Sequence, residues 1–240
     1  MKEMKGFTLV ELIIAMGVTV VLMGAVYMAV NAAQRHSFAI ESKVTAQQDI
    51  KPTLNLMAME IGMASYNPTS ADNLWVNPPG GTGTCGSTVG VNQTYHGIQE
   101  ATANSIAVEM DISGPSGSPS DGALGDPNET IRYNYDTVNQ YITRATNCGS
   151  GQPFLGDTAA SGRPRTVLVI NDTLGLPVFR YYDGTGTEIV SAGLPAGIPN
   201  VRRIDITLAV ETEFKDPNSN QRRRLIYSTS VIPRNHAISQ

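Results

Sequence analysis

The feature that most constrains this chain is Leu12–Val30, 19 residues without a charged side chain and dominated by Ile, Val, Leu, Met and Ala. At about 1.5 Å per residue a helix of that length spans about 28 Å, close to the roughly 30 Å hydrocarbon core of a bilayer. A stretch so apolar is expected to serve as an anchor with the remainder folding outside it. Lys2 and Lys5 precede the run and Arg35 follows it, which favours a cytoplasmic N-terminus and places everything beyond Gln34 on the other side of the membrane. A cleaved secretory signal is the competing expectation, with Val30-Asn31-Ala32 or Asn31-Ala32-Ala33 as its small-residue cleavage site. The run is longer than the apolar core of such a signal, and Glu11 interrupts its start.

Glu11 stands at the entrance to the run, after Phe7, Leu9 and Val10. A charge in hydrocarbon costs about 2.5–3.5 kcal/mol at a helix centre and less near an end. Either the side chain snorkels to the headgroups and caps the helix N-terminus, where the dipole favours an anion, or it serves a cationic partner.

Seventeen Lys and Arg against 21 Asp and Glu leave a net charge of −4 in 240 residues, and 41% of the chain is hydrophobic. That balance excludes wholesale disorder and offers no basic surplus for phosphates, so no nucleic acid is expected as a partner. The only cysteines, Cys85 and Cys148, exclude a four-thiolate metal site. Both lie beyond the anchor, where disulfides persist, so their pairing is expected, with two free buried thiols as the alternative. Closing a loop of about 60 residues would stabilise the fold by roughly 4 kcal/mol on the chain-entropy model.

Beyond the anchor, Ile40, Val44, Gln47, Lys51, Leu54, Ala58, Ile61 and Ala64 recur at alternating steps of four and three, predicting a stem helix that ends around Ser65. Pro52 is expected to kink or restart it, and Asn67-Pro68 closes the segment. From Trp75 onward short alternating runs between turn residues predict antiparallel β structure. Three hairpins are expected: Thr130–Tyr135 with Gln140–Thr146, Leu176–Tyr182 with Thr187–Val190, and a strand bearing Ile204, Ile206, Leu208 and Val210 with one bearing Leu225, Tyr227, Thr229 and Val231. The Gly-, Pro- and Ser-rich segments Asn77–Val89 and Ser113–Asn128 are expected to be surface loops.

Lys5-Gly6-Phe7-Thr8-Leu9-Val10-Glu11-Leu12 resembles the processing site of type IV prepilins and type II secretion pseudopilins. The resemblance implies that a prepilin peptidase cuts between Gly6 and Phe7 and methylates Phe7. It also implies that Glu11 pairs with the N-terminal amine of a neighbouring subunit in a filament. Gln47-Gln48-Asp49-Ile50-Lys51-Pro52 through Met59-Glu60-Ile61-Gly62-Met63-Ala64-Ser65-Tyr66 is similar to the stem of PilW-type minor pilins. Pro177-Val178-Phe179-Arg180-Tyr181-Tyr182-Asp183-Gly184 and Ser230-Val231-Ile232-Pro233-Arg234-Asn235 resemble that family and the related J-type pseudopilins. The chain departs from the pattern at Gly62, where arginine is expected, at Ser65, where glycine is expected, and in having no proline before Pro52.

The expected architecture is thus an α+β pilin-like fold. It has a leader at 1–6, a transmembrane helix at 7–34, a stem helix at 35–65 and a β-rich extracytoplasmic head at 66–240. The expected function is that of a minor type IV pilin priming or capping assembly near a filament tip, held in the inner membrane with its head in the periplasm and then in a surface filament. Its expected partners are the prepilin peptidase, other minor pilins and the major pilin, the inner-membrane assembly platform and, before assembly, membrane lipid. A J-type minor pseudopilin of type II secretion and a tip adhesin binding a surface ligand through residues 77–128 are the alternatives.

No enzyme, cofactor or metal is expected. Gly81-Thr82-Gly83-Thr84-Cys85-Gly86 spells G-x-G-x-x-G without the flanking strand and helix that a dinucleotide site needs. Asp216, Asn218 and Asn220 have calcium-loop spacing, but Gln221 and Tyr227 stand where glycine and glutamate are required, and Asp121 and Asp126 lie in a Gly-rich loop without such a pattern. Arg222, Arg223 and Arg224 with Arg202 and Arg203 form a possible basic patch, and His36, His96 and His236 are scattered, with no H-E-x-x-H or G-x-S-x-G.

Overall fold

In the computed structural model the described residues are 6, 8–81, 83–156, 165–217 and 219–237. One continuous helix, α1 (Leu9–Gly62, 54 residues), covers both the segment expected to be an anchor and the expected stem. It begins on a reciprocal cap: Thr8 accepts from the Glu11 N–H, and the Glu11 carboxylate accepts from the Thr8 N–H. It ends at Gly62, where the Met63 N–H bonds to the carbonyls of Met59 and Glu60, and Ser65 at φ 67° turns the chain away.

The helix runs unbroken through Pro52, so the expected restart there does not occur. The Pro52 ring faces solvent, while Ile50, Thr53 and Leu54 around it are buried against the head and hold the axis. Thr53 adds a hydrogen bond from its hydroxyl to the Asp49 carbonyl.

The buried face of the stem overlaps the expected stripe only in its later part, where Leu54, Ile61 and Ala64 are buried and Ala58 is half-buried. Ala39, Ala46, Ile50, Leu54, Met57 and Ile61 are buried, whereas Ile40 and Val44 are 64% and 41% exposed and Lys51 faces solvent. In the earlier part of the stem the head covers the neighbouring face, which is free of the interruptions at Gln47 and Lys51. Between Leu9 and Phe38 no described residue of α1 is buried.

Among the described residues the head contains two antiparallel sheets. The first is a meander of β1 (Ile98–Ala101), β2 (Ser105–Glu109), β3 (Thr130–Asp136), β4 (Tyr141–Thr146) and β5 (Gln152–Leu155), paired in chain order. The second is built on β8 (Arg203–Lys215), which pairs with β6 (Val167–Val169) and β7 (Phe179–Tyr182) and with β9 (Arg222–Val231).

The long β8–β9 hairpin has the expected facing pairs Ile204↔Val231, Ile206↔Thr229, Leu208↔Tyr227 and Val210↔Leu225. The β3–β4 hairpin is also present, with Asp136 accepting from the Val138 and Asn139 N–H groups in its turn. The hairpin expected between Leu176–Tyr182 and Thr187–Val190 reduces to one bridge, Tyr182↔Glu188. The Asp183 turn closes it and Ser191–Gly193 leads the chain away as a 3-10 turn.

Asn77–Val89 is only partly a surface loop, since Asn77, Pro78 and Pro79 are buried with Leu74, Trp75 and Val76. One continuous core joins α1 to both sheets: Ile50, Met57 and Ile61 from the helix, Ile106, Val108 and Tyr133 from the first sheet, and Ile204, Ile206 and Leu208 from the second. This geometry accords with the expected α+β architecture of one long N-terminal helix followed by antiparallel sheets.

Candidate functional site

Among the described residues the N-terminal part of α1, up to Phe38, has no buried side chain. Gly6 is exposed and a Cβ there would meet nothing within 4 Å, so the backbone at the expected cleavage position is open to approach. Phe7, on which cleavage and methylation are expected, lies outside the described residues. Glu11 accepts from both the N–H and the hydroxyl of Thr8, at 2.8 and 2.9 Å. Its carboxylate is therefore satisfied locally at the helix N-terminus and remains exposed for a second, cationic partner. Leu12, Ile13, Met16, Val20, Val21 and Met23 are all more than half exposed, and α1 is long and apolar enough to cross a membrane.

Where α1 enters the head, two polar clusters lock it. Glu60, 5% exposed, receives a two-pronged hydrogen bond from Arg144 on β4, at 3.0 and 2.6 Å, and another from the Tyr133 hydroxyl on β3. Arg144 continues to the Asn128 side chain, and burial with the Glu60 charge beside it raises the Tyr133 phenol.

The second cluster joins the C-terminal 3-10 turn Arg234–Ala237 to the helix end. His236 reaches the Ile198 carbonyl through Nε2 at 2.8 Å and Ser65 Oγ through Nδ1 at 2.9 Å. A carbonyl only accepts, so Nε2 carries the hydrogen and Nδ1 accepts from the Ser65 hydroxyl. Ser65 Oγ in turn accepts from the Gly97 N–H. Gly97 has to be glycine, because a Cβ would fall 2.3 Å from the Ser65 nitrogen and the Glu109 carbonyl. Burial lowers the His236 imidazole to about 4, with His96 and Arg202 adding to the effect. His236 is thus neutral at ordinary pH and its pair with buried Ser65 is a structural clasp, with no carboxylate behind the imidazole.

Neither lock is legible in the sequence, since Glu60 sits among Met57, Met59 and Ile61 without a motif and its partner lies 84 residues away. The only signal is a carboxylate falling near the apolar face of a helix.

Cys85 and Cys148 form a disulfide with Cα atoms 5.5 Å apart, tying the 77–89 segment to the end of β4. A cleft of about 630 Å³ is lined by Asn77, Asn92, Tyr95, Gln99 and the Glu100–Arg132 ion pair at 2.7 Å.

The remaining candidates dissolve into local structure. Gly83 and Gly86 occupy left-handed turn conformations with no helix after them. Asp216 holds Arg223 at 2.6 Å, and Asn218 of the calcium-like spacing lies outside the described residues. Arg203, Arg222 and Arg224 are paired with Asp205, Glu213 and Glu211, and Arg202 binds the Pro199 and Val201 carbonyls. His96 and His236 do meet, edge to face at 5.9 Å. Among the described residues no three His, Cys, Asp or Glu side chains gather as metal ligands.

Neither a curated protein nor a solved structure matches the chain. Residues 1–27 match the model of the prokaryotic N-terminal methylation motif, which is typical of type IV prepilin-like leaders, and the exposed apolar helix begins within the matched residues.

Proposed function

We propose that the chain is a minor type IV pilin, a structural subunit held by α1 in the inner membrane and then built into a filament near its tip, where it primes or caps assembly. The observation that carries this reading is that the apolar part of α1 is covered by none of the described residues. Two environments satisfy such a surface in turn: lipid before assembly, and the packed helices of other pilins after it. Long irregular connections such as 113–128 suit a subunit present once at an end better than one repeated along a shaft, where every loop must fit every neighbour.

In this reading Glu11 pairs with the methylated amine of Phe7 on the next subunit. A buried carboxylate and ammonium are each costly alone, so the pair sets register more than it adds stability. Glu11→Ala and Glu11→Gln subunits should be processed and inserted normally but enter filaments poorly. Immunoblots of sheared filaments against membrane fractions, in a strain whose sole copy is the variant, check this. Wild-type incorporation of both variants would leave Glu11 a helix cap and remove its assembly role.

The cleft beside Tyr95 favours a second reading, a tip adhesin, which direct binding of surface glycans by the intact protein would support.

A further inference from the structure

The β8–β9 hairpin runs along α1 toward its membrane-crossing end. At one end of the hairpin Val231 packs on Gly62, where a Cβ would lie 3.5 Å from Val231 Cγ1. At the other end the Phe214 ring meets the Phe38 ring edge to face at 6.1 Å. Phe214, Lys215, Asp216 and Arg223 close there over Ala39, leaving it 4% exposed.

Helix rise puts Ala39 about 14 Å beyond Val30, the last residue of the uncharged run. The headgroup layer takes up about 5–8 Å of that distance. What remains is on the order of 6–9 Å, about the reach of an extended lysine or arginine and about one Debye length in physiological salt.

The charge at this level is positive. Arg35, Lys43, Lys215, Arg222 and Arg223 outnumber Glu41, Glu213 and Asp216. Lys215 is exposed and has no ion-pair partner among the described residues. Phe214, 59% exposed beside the half-exposed Phe38, is an apolar side chain of the kind that membrane-surface segments bury at the headgroup boundary.

We infer that the tip of the β8–β9 hairpin is a membrane-surface contact, in which Lys215 meets the phosphates of anionic lipid headgroups while α1 is still in the bilayer. The contact orients the head about the helix axis before the subunit leaves the membrane. This inference rests on the reading of α1 as an anchor.

The test uses the full chain in phosphatidylcholine vesicles, with or without phosphatidylglycerol. A fluorophore is placed on Ser219→Cys at the tip, and headgroup spin-labelled lipid serves as quencher. Labels on Asn31→Cys, next to the apolar run, and on Val89→Cys, in an exposed head loop, are the references. The tip label should be quenched several-fold more than the Val89→Cys label in the anionic vesicles, and both high salt and Lys215→Glu should reduce that quenching. Quenching at Asn31→Cys with none at Ser219→Cys would overturn the contact and leave the anchor standing. No quenching at Asn31→Cys would overturn the anchor and the contact together. Equal, salt-insensitive quenching in both lipids would overturn the recognition of anionic headgroups.

Discussion

Glu109 is wholly buried, and its carboxylate accepts one hydrogen bond, from the Val76 N–H at 3.1 Å, while Oε1 has no partner. Burial raises this carboxyl well above its ordinary 4.5, against the opposing pull of the Val76 N–H. A raised value means that the folded protein holds the proton more tightly than the unfolded chain does. The corresponding stability is therefore present below about pH 4.5 and is lost as pH rises through and beyond it. Glu109→Gln keeps an acceptor for Val76 and cannot ionise, so it should melt like the wild type at pH 4 and at higher temperature at pH 8. Above pH 4.5 the gap should widen by at most about 1.4 kcal/mol per pH unit. Circular dichroism melts of the detergent-solubilised protein measure it, and identical melts at pH 8 would mean that the carboxyl ionises without cost. His236 has the opposite sign: its depressed value costs stability as pH falls from 6.5 toward about 4. That contribution is common to both proteins and cancels in the comparison.

Among the elements, α1 depends on the head only through its second half, where an apolar face and the Glu60 lock act together. Arg144 and Glu60 have side chains 20% and 7% exposed, so removing one partner strands a charge away from water. Arg144→Met should destabilise the protein by about 3–5 kcal/mol, and adding Glu60→Leu should recover most of that loss, because a buried pair costs more when broken than when replaced by apolar groups. Hydrogen exchange at residues 57–62 should report the same order, fastest in the single variant and near wild type in the double one. A single variant as stable as the wild type would show that Glu60 is solvated by another route. The β8–β9 hairpin needs no such lock, since its alternating residues Ile204, Ile206, Leu208 and Val210 are all buried and set its register.

At the scale of the whole molecule, a leader, an uncovered apolar arm and a closed head are joined by one continuous helix. Protein purified from membranes of a strain with a prepilin peptidase should begin at methylated Phe7 by intact-mass spectrometry. A chain beginning at Ala33 or Gln34 would instead mean that the apolar run is a cleaved secretory signal. The sequence by itself determined the features that depend on neighbouring residues. The long apolar helix follows from an unbroken apolar run, and the β3–β4 and β8–β9 hairpins follow from alternation around polar turns. Only the tertiary structure decided which face of the stem is buried. Periodicity defines a stripe, of which the head covers Leu54, Ile61 and Ala64, and it extends the burial onto the adjacent face through Ala46, Ile50 and Met57 while Ile40, Val44 and Lys51 stay exposed. It likewise carried the helix through Pro52, buried the 74–79 segment and brought Glu60 to Arg144 and Ser65 to His236. Those outcomes depend on contacts between residues tens of positions apart, which local pattern cannot encode because the free energy that selects them arises only when both surfaces leave water together.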